Sequence, residues 1–559
     1  MTIDLDQRVN VVLVTIDCLR PDYLGCYNDV NEGVEPTIDE LARTGYRFEN
    51  AFATASQTPI SFPGLATAEY PLSRGGPLKL SDDRTFVAEW FSEARYRTAG
   101  FSTNHWLSYM SNYPTGFDDY FEYYEFGEKV REHACYLVEK GYADGKCLTE
   151  LETELRDALI EQYETAIDGC EKYLAETDWE SGTVAATHKA LRTELDLLQS
   201  DFEAFADQLD ADLSQPGLFE SARRSVVSSV KRRARDVGPV RAAYRRFQRS
   251  TYDEPPRQKP VADAERVTDE AIDYLGDVDE PCYLWIHYMD VHRPYLPGSA
   301  DDWTNEFQTY VNAVDESVSF EAANEQWYEA YTALYKACIR YVDDHLARLH
   351  DSLASLDRET AVVLTADHGE EFREHGGTDH NAKLYDVLIH VPLIVSQTGD
   401  DGVKDPVTKL FSHVDLLPTV YSQVVHDTSV PDTIDGQDIY AEPRKAVIAE
   451  TLRTASSPEH EDHVGRHLGT DYKRIAARSH GEKLIYYEDE SAWQLYDLNA
   501  DPVEQQNLID QREPVQLRER VLNRERTIET QFEHSDRSRG NAEQPEIIRD
   551  RLDDLGYTV

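Results

Sequence analysis

Basic residues are scarce in this chain. Lys and Arg together number 56 against 106 Asp and Glu, which leaves a formal charge of −50 over 559 residues. Only 15 of those 56 are lysines, so arginine supplies most of the positive charge. Acid in such excess, spread along the whole length, looks like a halophile's surface, where high salt screens the self-repulsion. It excludes nucleic acid as the main partner, because phosphates would be repelled. Cysteine is sparse as well. The 7 residues are odd in number and lack C-x-x-C spacing, so neither a disulfide framework nor a thiolate zinc site is indicated. Long apolar runs are missing: no segment approaches the roughly 18 uninterrupted apolar residues of a membrane span. Residues 1–16 hold no basic n-region and no cleavage site. The expectation is a soluble cytoplasmic protein with a large core and more than one domain.

What the chain does have is a set of short apolar runs that end on chemistry. Ala361-Val362-Val363-Leu364-Thr365-Ala366 has no polar alternation, as in a strand buried on both faces of a parallel sheet. It stops at Asp367-His368-Gly369. In open α/β sheets ligands bind beyond the carboxyl ends of the strands, and an Asp-His pair there offers a hard oxygen and a nitrogen to a divalent metal. The alternative is that Asp367 and His368 cap a following helix. A second run, Asn10 to Ile16, also ends on an acid, Asp17, and a third, Tyr283 to Ile286, leads into His287, Asp290 and His292. Three buried strands releasing acids and imidazoles at one kind of position suggest a shared metal site.

Between these runs the punctuation is local. Thr37-Ile38-Asp39-Glu40 reads as a capping box just past Pro36, with Gly45 closing a short helix, and Tyr46 to Phe52 is strand-like. Pro59 directly after Thr58 suits a helix start with Thr58 as N-cap. A hydroxyl there sits in the positive field of the helix N-terminus, which favours an alkoxide, although on this pattern alone a plain N-cap threonine is the better reading. Residues 128–262 read as a helical insertion, first acidic and then abruptly basic between Arg223 and Arg246. The basic part is either an amphipathic helix for an anionic membrane surface or polyanion, or a helix paired with its acidic neighbours. From 431 onward the pattern is a small α/β subdomain, with strands at Lys483–Tyr487 and Trp493–Tyr496, and the tail after about 509 reads as solvated helix.

Several segments, in order, resemble the sulfatase family of the alkaline phosphatase superfamily. They are Asp17, Pro36 to Ala51, Thr58 to Pro71, Tyr96 to Phe101, Gly116-Phe117-Asp118, Met289 to Tyr295, Asp367 to Glu370, Val391 to Val395, Asp415 to Thr419, and Leu495 to Leu508. The resemblance implies an α/β fold with a large mixed, mostly parallel sheet flanked by helices, formed by residues 1–127 and 263–430. The helical insertion 128–262 and a C-terminal subdomain with charged tail, 431–559, complete the division. It further implies that Asp17, Asp367 and His368 hold a divalent metal, that Thr58 completes its shell, and that Thr58 attacks the sulfur or phosphorus of an ester. His292 resembles the family histidine that contacts the transferred group or protonates the leaving oxygen. The family lysine on that group maps to His380 or Lys383, and His105 lies near a family Lys-x-His position.

The departures from the family pattern carry weight. Its usual members bear a Cys or Ser in C/S-x-P-x-R that becomes formylglycine, whereas Thr58 stands at that place and Phe62 where the arginine would be. Cys18 replaces the second acid of an Asp-Asp pair. Fewer carboxylates and a histidine at 368 favour Mn²⁺ or Zn²⁺, with Ca²⁺ or Mg²⁺ as alternatives. The leading reading is a metal-dependent hydrolase of sulfate or phosphate esters, acting on a small-molecule or glycan/lipid ester. The alternatives are a transferase that passes a phospho-head group to an alcohol (or a phosphodiesterase), and a non-catalytic, metal-stabilised binding protein. The oligomeric state is open.

Overall fold

The computed structural model describes residues 8–28, 35–122, 263–295, 325–453, 472–488 and 492–538, apart from 75, 78, 105, 109, 110, 294, 426–429 and 432; it also describes 182–202, 204, 205 and a few positions between 155 and 167. The described residues form two compact units, one drawn from 1–123 and 255–545, the other from 124–254. His105 and the basic run from Arg223 to Arg246 lie outside the described residues. The second unit is described mainly through the helix Gly182–Ser200, where Glu194 accepts a 3.1 Å hydrogen bond from Tyr163.

In chain order the first eleven strands of the first unit are β1 (Asn10–Ile16), β2 (Tyr46–Arg47), β3 (Ala51–Phe52), β4 (Arg97–Ser102), β5 (Asp119–Glu122), β6 (Cys282–Tyr288), β7 (Thr360–Ala366), β8 (Glu371–Phe372), β9 (Thr378–Asp379), β10 (Leu393–Gln397) and β11 (Phe411–Ser412). Seven of them make one sheet in the order β2-β10-β7-β1-β6-β4-β5. From β7 to β5 all neighbours are parallel, and β10 is antiparallel to both β7 and β2. Every residue of β1, β6 and β7 is buried, because helices cover both faces. The continuous apolar runs of the sequence are the direct record of that double burial. The expected strand at 46–52 divides into β2 and β3, which belong to different sheets.

Register decides what meets at the top of the sheet. Ile16 stands opposite Ala366 on one side and Tyr288 on the other, so Asp17 and Asp367 leave adjacent strands at the same level. Thr15 pairs with His287, and His287 pairs with Ser102 of β4, which leads into Thr103 and Asn104.

The capping box expected at 37–40 does not form. The helix begins at Pro36, Thr37 lies inside it, and the Asp343 carboxylate accepts from the N–H groups of Thr37 and Ile38 at 3.1 and 2.8 Å. A residue some three hundred positions away thus does the capping. Gly45 does close the helix, its N–H donating to the Leu41 carbonyl at 2.8 Å. A β-carbon on Gly45 would lie 2.6 Å from the Leu41 oxygen and 2.7 Å from Ser396 Cβ, which is why only glycine fits.

The C-terminal sheet is antiparallel, β12 (Val447–Arg453), β13 (Tyr472–Arg478), β14 (Glu482–Tyr487) and β15 (Ala492–Asp497), in sequential order. Its alternating side chains separate into two clusters, as the period of a strand requires. Ala476 and Ile485 join Leu384, Leu388 and Ile389, while Ile475, Ala477, Leu484 and Leu495 face Leu517, Val521 and Ile528 of the helix Val515–Ser538. The tail is therefore only half solvated: one stripe of that helix covers the sheet.

Arg524 fixes that helix. Its guanidinium donates to both carboxylate oxygens of Glu450, at 2.7 and 2.9 Å, and Glu450 also accepts from the Leu72 N–H at 2.6 Å. Glu450 is fully buried, so truncating its partner strands a charge in the interior. Arg524→Ala is expected to cost about 3–5 kcal/mol, read as a lowered denaturant midpoint; a loss under about 1 kcal/mol would place the pair among weak surface bridges.

Candidate active site

Thr58 opens the helix Thr58–Thr67 at the carboxyl end of the sheet. It is the first helical residue and Gln57 is the N-cap, so Thr58 is not the cap that Pro59 suggests; its hydroxyl is directed elsewhere. Thr58 Oγ1 lies 3.3 Å from Asp17 Oδ2 and 3.2 Å from His368 Nε2. The helix is anchored to the sheet beside it, with Ser61 Oγ donating to the Asp367 carbonyl at 2.5 Å. Gly64 allows the same helix to lie against Thr54, whose side chain would sit 2.8 Å from an added β-carbon.

Asp17, Thr58, Asp367 and His368 are all fully buried. No helix follows Asp367-His368; the next element is β8, so the capping alternative for this pair falls away. Asp367 Oδ1 accepts from the backbone N–H groups of His368 at 2.9 Å and Cys18 at 3.3 Å. His368 Nδ1 lies 2.8 Å from the Gly369 carbonyl, which makes Nδ1 the protonated nitrogen and turns Nε2, as a lone pair, toward Thr58 and Asp17.

Two further groups reach Asp17 Oδ2. Asn104 Nδ2 donates to it at 3.2 Å, and His287 Nε2 lies 3.5 Å away. His287 is itself fixed through Nδ1, 2.9 Å from Thr15 Oγ1, which also accepts from Trp285 Nε1 at 2.9 Å. Burial disfavours a charge on Asp17, yet the imidazoles of His292, His287 and His368 outweigh it and hold its carboxyl well below the usual carboxylate range. Burial and then the charge of Asp17 push Asp367 the other way, upward. Two carboxyls at one site divide in this manner when like charges compete.

His292 and His380 lie beside this group with ring centroids 5.0 Å apart and planes inclined at 59°, and the His380 ring centroid is 4.6 Å from that of His368. Burial presses His292 down to about 3. His380 is buried too, but the carboxylates of Asp379 and Glu370 lift it to about 9. Lys383 is not brought into the group: its ammonium donates to Glu371 Oε2 at 2.7 Å and to the His375 carbonyl at 3.2 Å. His375 stacks on Tyr385, centroids 3.6 Å apart.

The donor set fits a divalent cation. Asp367 Oδ2 is buried and accepts no hydrogen bond, an expensive state for a carboxylate oxygen. A single cation would compensate two buried carboxylates, an imidazole lone pair and a hydroxyl in one place. The strands alone did not announce Asn104 or Ser61 as neighbours of this group, whereas His287, which the third run offered, does reach Asp17. Each depends on strand order and register, for which a single sequence carries no local signal.

The chain matches the family model "Sulfatase" over residues 9–164 and 236–424, and the model for the C-terminal part of N-sulphoglucosamine sulphohydrolase over 373–531. An uncharacterised sulfatase of Escherichia coli, YidJ, is 29% identical over 273 residues, 44% of this chain and 51% of that protein. The chain thus spans about half the length of YidJ. The N-acetylglucosamine-6-O-sulfatase of Bacteroides thetaiotaomicron is 22% identical over 557 residues, covering 95% of this chain and 88% of its own. Among solved structures, the phosphonate monoester hydrolase of Agrobacterium radiobacter superposes with a TM-score of 0.55 at 17% identity, over 94% of this chain and 96% of that one. At that identity the likeness is one of fold.

Proposed function

The chain belongs to the sulfatase family, and on that premise we propose that it is a metal-dependent hydrolase that cleaves sulfate or phosphate esters through a covalent intermediate on Thr58. The observation that carries the reading is the position of one oxygen: Thr58 Oγ1 lies 3.3 Å from Asp17 Oδ2 and 3.2 Å from His368 Nε2, at a helix N-terminus. Threonine takes the place of the residue that becomes formylglycine in the usual sulfatases.

Asp17, Asp367, His368 and Thr58 are the residues to hold the metal, and Mn²⁺ or Zn²⁺ suits one nitrogen and few carboxylates better than Ca²⁺ or Mg²⁺. When bound, the cation supplies Lewis acidity that eases loss of the Thr58 proton. The chain does the rest. Thr58, in the positive field of its helix, attacks the central sulfur or phosphorus and carries it covalently, while the bond to the ester oxygen breaks and the alcohol leaves with a proton delivered through His292 or from solvent. Asn104 and His287 orient Asp17. His292 and His380 face the transferred group; His380 takes the place of the family lysine, held by Asp379 and Glu370 at 3.2 and 3.4 Å. His105 remains a candidate for the same group on the resemblance alone.

The names of the relatives, a sugar 6-O-sulfatase and a phosphonate monoester hydrolase, support a glycan or small-molecule ester as substrate. A threonine nucleophile favours phosphoryl chemistry, so the phosphodiesterase or transferase reading stays beside the sulfatase one. The test is a panel of aryl sulfate, aryl phosphate, phosphonate monoester and phosphodiester, with Mn²⁺ or Zn²⁺. The net charge of −50 calls for assay at about 1 M salt, where the screening length is about 3 Å. Turnover of at least one ester, lost on chelation, is expected. Tight metal binding with no turnover of any ester would favour the non-catalytic reading.

A further inference from the structure

His380 lies on a segment of no regular structure, between β9 and the short helix Asp386–Ile389. Asp379, the residue before it, stands at φ +142°, a value that side chains other than glycine keep only where their surroundings impose it. Two buried side chains grip the segment by its carbonyls. Ser56 Oγ donates to the Asn381 carbonyl at 3.1 Å, and Arg474 Nη1 donates to the Ala382 carbonyl at 2.5 Å. Ser56 stands two residues before Thr58, whereas Arg474 reaches in from β13 of the C-terminal sheet.

The same sheet also holds the other side of the site. The Glu450 N–H on β12 donates to the Thr54 carbonyl at 2.7 Å. Thr54 Oγ1 in turn donates to the Ser61 carbonyl at 3.0 Å, inside the helix that Thr58 opens. On the β12–β13 ladder Glu450 stands opposite Ile475, and its neighbour Thr451 stands opposite Arg474. Adjacent rungs of one ladder thus carry the contact to the Thr58 segment and the contact to the His380 segment. Arg474 is itself fixed: its guanidinium lies over the ring of Tyr487, 4.8 Å from the centroid, directly across the β13–β14 ladder.

We propose that Arg474 is a positioning residue for the reaction: from the C-terminal sheet it sets where His380 stands relative to Thr58. This role rests on the functional reading above, in which Thr58 attacks and His380 faces the transferred group. Arg474 touches neither substrate nor metal; it acts through the Ala382 carbonyl, two residues beyond the imidazole. A planar guanidinium stacked on an aromatic ring aims at a carbonyl more rigidly than a flexible ammonium does. Misplacing a reacting contact by about 1 Å costs on the order of 10²-fold in rate. An interaction that strengthens in the transition state is lost from kcat more than from KM.

The experiment uses the full chain loaded with Mn²⁺ or Zn²⁺ and the ester of the panel that it turns over fastest. Arg474→Ala is expected to lower kcat by about 10²-fold, with KM and metal content little changed. Arg474→Lys, which keeps a donor without the planar fork, should recover part of the loss. The decisive comparison is a double-mutant cycle with His380→Ala. With no imidazole left to place, Arg474→Ala should then cost little further turnover. Equal fractional losses in both backgrounds, to within about twofold, mark independent sites and overturn the role, leaving Arg474 a purely structural residue. An unchanged kcat in Arg474→Ala overturns it as well. Where alanine leaves the strand unstable, Arg474→Met keeps the stem over Tyr487 and removes only the donors. A wild-type chain that turns over no ester overturns the functional reading itself, and this role with it.

Discussion

Thr58→Ala is expected to lower turnover by about 10⁴-fold or more, the scale seen when a covalent nucleophile is removed from an enzyme. The methyl group left behind has no oxygen to attack with, and water would have to replace both the nucleophile and a metal ligand. Metal should nonetheless stay bound, because Asp17, Asp367 and His368 supply three of the four donors. Metal content and turnover therefore separate in this variant. Thr58→Ser keeps a hydroxyl on the first residue of the helix and should retain measurable turnover. In the wild-type chain a rapid acid quench during turnover should leave a sulfo or phospho group on the peptide that carries Thr58. Unchanged turnover in Thr58→Ala would remove the covalent step from the mechanism, whatever metal the site holds.

The second large effect concerns the metal itself. Stripping the chain with a chelator is expected to abolish turnover and to lower the unfolding midpoint, because Asp17 and Asp367 then face each other with no cation between them. At a metal concentration about 1,000-fold above its dissociation constant, binding to the folded state alone contributes about 4 kcal/mol. Asp17→Asn removes one carboxylate from the donor set. In that variant the added stability on reloading should shrink below about 1 kcal/mol, and turnover should fall with it. Titrating metal against thermal unfolding of both proteins measures the difference. An equal gain in the wild-type and Asp17→Asn chains would show that the cation binds somewhere else.

How much of this was legible beforehand differs by residue. The apolar runs at 10–16, 282–288 and 360–366 are strands, as their unbroken hydrophobicity implied, since a strand covered on both faces has no polar side to display. Asp17, Asp367 and His368 were legible for a related reason: polar residues directly after a buried strand can only lie at its end. The helix N-caps were not. Thr58 was expected as an N-cap and is the first helical residue, and Thr37 was expected to cap a helix that Asp343 caps from across the fold. Local rules describe the groups a segment can offer, but a distant carboxylate competes for the same N–H donors. Lys383 and His380 were open alternatives by counting alone. Their partners, Glu371 for one and Glu370 with Asp379 for the other, separate them.

The order of residues along the chain by itself determined the fold class, the strands of the sheet and the acids at their carboxyl ends, because hydrophobic periodicity and strand termination are local properties. Tertiary structure alone decided which of those ends meet. The order β7-β1-β6-β4, with Ile16 opposite both Ala366 and Tyr288, brings Asp367, Asp17, His287 and Asn104 to one level. The same packing turns the Cys18 thiol toward His380. Convergence of this kind is set by sheet order and register, which arise from burying all the strands at once and from no one of them singly.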